Sequence, residues 1–235
     1  MALLKRIERL MSSRITEFES EIPDDSGLWL EDLTHGDWSG LPGLFLDRDG
    51  VILEETGYLG TPEKLRLIDG AAEAIRIGNS LGIPVVLVTN QSGIGRGYYT
   101  WDDFANVQNE LYRQLSLKGS YIDFVAACAY HAAATFPFSV PSHPWRKPNP
   151  GMILAVAKKA GLILHESTLI GDRWSDMEAA ANAGLTRGIL VRTGLGGSEA
   201  QFSSQLGALD MRVDFASSIS TAMKLLLEEQ WPRRI

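Results

Sequence analysis

A single cysteine, Cys128, stands in 235 residues, so no intramolecular disulfide can form and nothing in the cysteine pattern points to secretion. Long hydrophobic runs are also missing. Near the start Leu3, Leu4, Ile7, Leu10 and Met11 keep a helical period, but Lys5, Arg6, Glu8 and Arg9 interrupt every stretch. That pattern excludes a signal-peptide core and a membrane span, leaving a helix packed on the body, on another subunit or on a partner. No block rich in Lys and Arg appears, and the formal net charge is -7. A nucleic-acid partner is therefore not expected. An acidic chain still binds phosphate where a few cations and a metal are focused in one pocket. Low-complexity tracts and internal repeats are absent as well. The expectation is a cytoplasmic globular protein, monomer or homodimer, with no membrane partner.

What is present is a core-forming composition, 45% hydrophobic and 22% charged, in a chain long enough to bury a substantial interior. Residues 1–42 read as an N-terminal extension: the helix above, then a loop rich in Asp, Gly, Ser and Trp. Residues 43–235 read as one domain in which short apolar strands alternate with amphipathic helices. Leu44–Leu46 is the first strand. Asp69 is expected to cap a helix from Gly70 to Leu81, stopped by Gly82. Pro84–Val88 is a fully apolar strand, and Thr100 with Asp103 caps a helix running to about Ser116. Tyr121–Ala127 is the next strand.

Residues 136–150 hold five of the ten prolines and suit neither regular structure. Asn149-Pro150 opens a helix ending at Gly161. Ser167–Ile170 is a strand. Ser175 and Glu178 are expected to form a capping box for a helix reaching Ala183. Strands at Gly188–Val191 and Val213–Phe215 and a helix from Ser218 to Glu229 complete the pattern. Alternation of this kind predicts an α/β fold, an open parallel sheet with helices on both faces and ligands at the carboxyl ends of its strands.

Four polar clusters fall at those ends or at a helix entrance: Asp47-x-Asp49, Thr89-Asn90-Gln91-Ser92, Arg146-Lys147-Pro148, and Gly171-Asp172-Arg173-x-x-Asp176. Each alone is ordinary loop chemistry. Two carboxylates one residue apart behind an apolar strand also suit a magnesium-assisted nucleophile with an acid/base partner. In this order the clusters resemble the four motifs of the haloacid dehalogenase superfamily of aspartate-nucleophile phosphohydrolases. Within it, Phe45-Leu-Asp47-Arg-Asp49-Gly50, Val88-Thr89-Asn90-Gln91-Ser92-Gly93-Ile94-Gly95-Arg96-Gly97-Tyr98, Arg146-Lys147-Pro148-x-Pro150-Gly151-Met152 and Ile170-Gly171-Asp172 are similar to the D-glycero-D-manno-heptose 1,7-bisphosphate phosphatase branch. That branch is related to the histidinol-phosphate phosphatases.

The resemblance implies a Rossmann-like fold with a minimal cap and a short Pro-rich insert, and a small phosphorylated sugar as substrate. It makes Asp47 the nucleophile that forms an aspartyl-phosphate, and Asp49 the proton donor and then the base. It gives Mg2+ to Asp47, Asp172 and the backbone carbonyl of Asp49. Thr89 and Asn90, with Gln91, are expected at the phosphoryl oxygens, and Lys147 to neutralise charge there. Asp176 and Arg173 take supporting roles. An ordinary ion pair is the competing reading of Asp172 and Lys147.

Gly93-Ile94-Gly95-Arg96-Gly97 fails the dinucleotide pattern, because Tyr98 stands where the third glycine belongs. Arg96 suits a second anionic group or hydroxyls of the substrate, or is a solvated arginine on a flexible turn. Arg146 is the stronger candidate for a substrate contact, since a guanidinium grips phosphate bidentately. Heptose-bisphosphate phosphatases carry a zinc site before the Arg-Lys-Pro motif. In the matching region only Cys128, His131 and His143 offer ligands, one short of the four needed, so zinc is not expected. The other readings are a histidinol-phosphate or other small-metabolite phosphatase, and a non-catalytic binding protein on the same fold.

Overall fold

The computed structural model of the chain describes residues 27–33, 36–194 and 206–232; the expected N-terminal helix lies outside them. Among the described residues seven strands form one sheet: β1 (Leu28–Asp32), β2 (Leu44–Leu46), β3 (Val85–Asn90), β4 (Phe124–Cys128), β5 (Thr168–Gly171), β6 (Arg187–Val191) and β7 (Arg212–Ala216). Their spatial order is β1-β4-β3-β2-β5-β6-β7. All neighbouring pairs are parallel except β1 with β4.

The helices are α1 (Ala71–Ser80), the single turn α2 (Ser92–Gly95), α3 (Trp101–Leu117), α4 (Gly151–Ala160), α5 (Trp174–Asn182) and α6 (Ile219–Glu228). Alternation along the strands sorts their side chains onto two faces. Leu44, Leu46, Val85 and Leu87 join α1, α3 and α6 in one buried cluster. Phe45, Val86 and Val88 join α4 and α5 in the other. The expected α/β architecture is therefore present, with a core on each side of the sheet.

Starting from β2, the chain builds outward through β3 and β4, then returns to place β5 on the other side of β2. The order reverses there, and the carboxyl ends of β2 and β5 flank the crevice where ligands bind in open α/β sheets. Leu46 pairs with Ile170 in that register, which sets Asp47 beside the end of β5. Among the described residues no helix is long and apolar enough to cross a membrane.

Several local expectations are corrected. Residues 28–32, read as loop, form an edge strand that runs from the Leu28↔Cys128 pair to Asp32↔Phe124, so the sheet begins before residue 43. Trp29 anchors it, stacking on Trp101 at 5.6 Å and meeting Phe104 edge-on at 5.4 Å. Asp69 makes no cap; Gly70, with φ 78°, stands at the N-cap of α1. The capping contact of α5 comes two residues earlier than the expected Ser175–Glu178 box, Asp176 Oδ2 accepting the Arg173 N–H at 2.9 Å. The Gly-rich segment after β3 is a packed helical turn rather than a flexible loop, because a Cβ at Gly95 would run into the Ala129 carbonyl. The Thr100–Asp103 capping box of α3 is formed as expected.

Candidate active site

Three buried apolar residues make β2, and its ladder ends where Asp47 N–H donates to Ile170 O at 3.0 Å. The chain then turns tightly: Ile52 and Leu53 N–H both donate to Arg48 O at 2.9 Å. Gly50 lies in the left-handed region at φ 83°, and a Cβ there would overlap the Asp172 carboxylate. Asp47 and Asp49 are thereby delivered to one cavity of about 330 Å³, which Thr89, Asn90, Gln91, Arg96, Lys147, Arg173 and Asp176 also line.

Lys147 is the electrostatic centre of this cavity. Its Nζ donates to Val88 O at 2.9 Å and lies 3.0 Å from Asp47 Oδ1 and 2.7 Å from Asp176 Oδ1. All three side chains are buried. Burial works against the ammonium, but Asp176 and Asp47 outweigh it and raise its pKa above the ordinary lysine value. The pKa of Asp47 also rises, which for an acid disfavours the charged form. Desolvation pushes its pKa well up; Lys147 opposes this, and the carboxylates of Asp176, Asp172 and Asp49 add to it.

Asp47, Asp172 and Asp176 offer oxygen atoms that all lie within 4.8 Å of one another. Glycines at 50 and 194 crowd the Asp172 carboxylate so closely that a Cβ at either would fill its space. An all-oxygen set carrying more negative charge than one ammonium offsets fits a small hard cation such as Mg2+. The carboxylate of Asp49 is outside this group.

Thr89 and Gln91 stand at the end of β3. Thr89 Oγ1 accepts from Gln91 Nε2 at 2.7 Å, which leaves the hydroxyl hydrogen for a ligand. Two expected phosphate ligands have other work. Asn90 Nδ2 donates to Lys147 O and Asn90 Oδ1 accepts from Lys147 N–H, both at 3.1 Å, so its amide holds the lysine backbone. Gln91 is buried and bonds to Asp49 Oδ2, Thr89, Arg48 and Tyr99. Both side chains brace the site, and both line the cavity.

At the rim, Arg96 reaches His131 at 3.2 Å and lies over the Tyr58 ring at 5.9 Å. Arg146, expected to be the stronger contact, instead donates to Tyr130 O at 3.0 Å and does not line the cavity. Arg173 lines it and pairs with Glu55 at 3.2 Å. Sequence reasoning missed Glu55, Tyr58, Tyr99 and Ser175 as lining residues, and Arg48 most of all. Glu55 and Tyr58 lie within eleven residues of Asp47 on the same strand-end segment, a proximity that was available as a signal.

Cys128 is fully buried at the end of β4. His131 Nδ1 accepts from Ala133 N–H at 2.9 Å, and burial, Arg146 and Arg96 lower the pKa of its ring. His143 stacks on Tyr130 at 4.0 Å and accepts from Trp145 N–H at 3.2 Å. Among the described residues, the aspartate cluster is the one group of His, Cys, Asp and Glu gathered within metal-ligating distance.

Comparison with known proteins agrees with this arrangement. The HAD-hydrolase-like family model matches residues 144–207. The D-glycero-beta-D-manno-heptose-1,7-bisphosphate 7-phosphatase of Mesorhizobium japonicum is 45% identical over 168 residues, 71% of this chain and 77% of that protein. The D-glycero-alpha-D-manno-heptose-1,7-bisphosphate 7-phosphatase of Burkholderia mallei is 40% identical over 148 residues, 63% of this chain and 78% of the relative. Among solved structures, the D,D-heptose 1,7-bisphosphate phosphatase of B. bronchiseptica, complexed with magnesium and phosphate, superposes with a TM-score of 0.69. It is 27% identical and covers 80% of this chain and 99% of its own.

Proposed function

This chain belongs to the heptose-bisphosphate phosphatase branch of the haloacid dehalogenase-like hydrolases, and we propose that its cavity hydrolyses a sugar phosphate monoester through Asp47. The substrate class is a D-glycero-D-manno-heptose 1,7-bisphosphate, cleaved at the 7-phosphate. The observation that carries this reading is the buried group of Lys147 within 3.0 Å of Asp47, with Asp172 and Asp176 beside it and Asp49 on the same cavity.

Asp47 attacks phosphorus, a P–O bond to the carboxylate forms, and the bond to the sugar oxygen breaks. Asp49 passes its proton to the departing oxygen, so the alcohol leaves neutral. Asp49 then takes a proton from water as that water attacks phosphorus. The P–O bond to Asp47 breaks, releasing phosphate and restoring the carboxylate. Thr89 donates its hydroxyl hydrogen to a phosphoryl oxygen. Lys147, fixed by Val88 O and Asp176, offsets the charge that two anions bring together. Asp47 and Asp172, with Asp176 beside them, would hold Mg2+, which when bound neutralises phosphoryl charge and lowers the repulsion facing a carboxylate nucleophile. Burial and three neighbouring acids penalise the ionised nucleophile, which is the arrangement expected where a cation is to be added.

Arg96 at the rim suits the second phosphate of a bisphosphate. We place no zinc in the Pro-rich insert. Its one thiol is committed to the core, and its two imidazoles already accept backbone N–H groups. The test of this reading is a steady-state screen of the wild-type protein with Mg2+ against sugar mono- and bisphosphates, including both heptose anomers. A large kcat/KM preference for one heptose 1,7-bisphosphate is expected; no hydrolysis of any phosphomonoester would overturn it.

A further inference from the structure

Among the described residues Arg48 is the largest fully buried side chain, at 1% exposure. An arginine between two aspartates in a turn would ordinarily project into water. Here it points inward, over the Phe104 ring at 5.3 Å, into a core where a Leu or Met would avoid the desolvation cost of a charge. Its guanidinium is satisfied by a set of polar groups brought from distant parts of the chain. Nη1 donates to Gln108 Oε1 at 3.2 Å, from a position on α3 that is itself buried. Nη2 donates to Gln91 Oε1 at 3.0 Å. The remaining donors go to Asp49: Nε to Oδ2 at 3.2 Å and to Oδ1 at 3.3 Å, and Nη2 to Oδ2 at 3.0 Å.

The two oxygens of Asp49 are therefore unequal. Oδ2 receives Nε and Nη2 of Arg48 and also Gln91 Nε2 at 3.1 Å, a full complement for a carboxylate oxygen. Oδ1 has one long contact. The chain spends three buried polar side chains, Arg48, Gln91 and Gln108, on one outcome, the fixed orientation of a single carboxylate at the cavity wall. Gln108 extends the brace, since its Nε2 meets Tyr112 OH at 3.4 Å and that hydroxyl donates to Glu31 Oε2 on the edge strand at 2.8 Å.

We propose that Arg48 is the positioning residue for the acid/base carboxylate: it and Gln91 occupy Asp49 Oδ2, so that Oδ1 is the oxygen that exchanges the proton with the leaving group. This rests on the reading of Asp49 as the proton donor. In this role the Arg48 guanidinium acts through Asp49, which it holds together with Gln91.

The test separates proton donation from every other contribution by varying the leaving group. kcat/KM covers only the steps up to departure of the alcohol, so later hydrolysis of the intermediate does not enter it. From heptose 1,7-bisphosphate the leaving group is the 7-oxygen of heptose 1-phosphate, which needs a proton, whereas p-nitrophenyl phosphate releases a stable p-nitrophenolate. Arg48→Met should lower kcat/KM about 100-fold on the heptose substrate and no more than about 10-fold on the aryl one. Asp49→Asn should show the same split, and the double variant should be no worse than Asp49→Asn alone. Equal losses on both substrates in Arg48→Met, with the split kept in Asp49→Asn, would overturn the positioning role and leave the proposed function standing. No split in Asp49→Asn would instead remove Asp49 as the acid, and both readings with it. Should Arg48→Met fail to fold, Gln108→Met, which removes only the Nη1 partner, should show the same split at smaller amplitude; an absence of split there also overturns the proposal.

Discussion

Lys147 Nζ lies 2.7 Å from Asp176 Oδ1, nearer than the 3.0 Å that separates it from Asp47, the proposed nucleophile. The lysine is thus tethered by an acid that does not react, and Asp176 is tethered in turn by the Arg173 N–H. Lys147→Met removes the cation from between two buried carboxylates. Breaking a buried pair from one side costs about 3–5 kcal/mol. Urea denaturation in EDTA should show a loss of that order, partly recovered in Mg2+, with turnover reduced by at least about 100-fold. Unchanged stability would mean that the carboxylates do not depend on the ammonium.

Asp47→Asn separates activity from stability. Desolvation first, and then three neighbouring acids, make the ionised Asp47 costly despite Lys147. The amide removes that cost and can still accept from the lysine. Turnover should vanish while the metal-free melting temperature rises, by roughly 2–4 °C for each kcal/mol relieved. A lower melting temperature in the absence of metal would contradict the electrostatic account of the cavity.

Mg2+ should act on folding as well as on rate. A ligand that binds only the native state stabilises it by RT ln(1 + [L]/Kd), about 2.7 kcal/mol at a hundredfold excess over Kd. EDTA should stop hydrolysis, and added Mg2+ should restore it and raise the wild-type melting temperature. The thermal shift should be lost in Asp172→Asn, whose glycine-lined carboxylate is the proposed ligand. A shift of equal size in that variant would move the metal elsewhere.

Asp123 gives the pH dependence. It is buried beneath the edge strand and accepts the Val85 N–H at 2.8 Å. Burial, helped by Asp32 and opposed by that hydrogen bond, raises its pKa to about 6. The unfolded chain holds its aspartates near 3.9, so between about pH 4 and 6 the native state binds the extra proton. The contribution of Asp123 to stability therefore grows as pH falls through 6, and is unfavourable above it. Denaturation midpoints measured from pH 7.5 down to 5 should fall less, or rise more, in the wild type than in Asp123→Asn. Parallel curves would remove Asp123 as the source.

The sequence was most readable where a residue's place follows from its near neighbours. Asp47 and Asp172 each end a short apolar strand, and Thr100 and Asp103 form a local capping box, so their positions needed no knowledge of the fold. What escaped reading depends on distant partners. Leu28–Asp32 becomes a strand because β4, about a hundred residues away, offers it a ladder. The brace that Asn90 provides depends on Lys147, 57 residues on, whose backbone meets both ends of its amide. Nothing in the immediate neighbours of Arg48 signals its burial, which is set by Gln91, Phe104 and Gln108. The capping box of α5 was expected two residues late, at Ser175 and Glu178 instead of Arg173 and Asp176, since both acids and hydroxyls suit helix entrances.

The covalent step at Asp47 is the central claim, and rapid acid quench during turnover of heptose 1,7-bisphosphate, followed by mass spectrometry of the peptide bearing residues 44–53, tests it most directly. The account predicts one phosphoryl group on Asp47, formed and consumed at rates that match turnover and absent in Asp47→Asn. Turnover at the normal rate with no phosphoryl group on that peptide would contradict it.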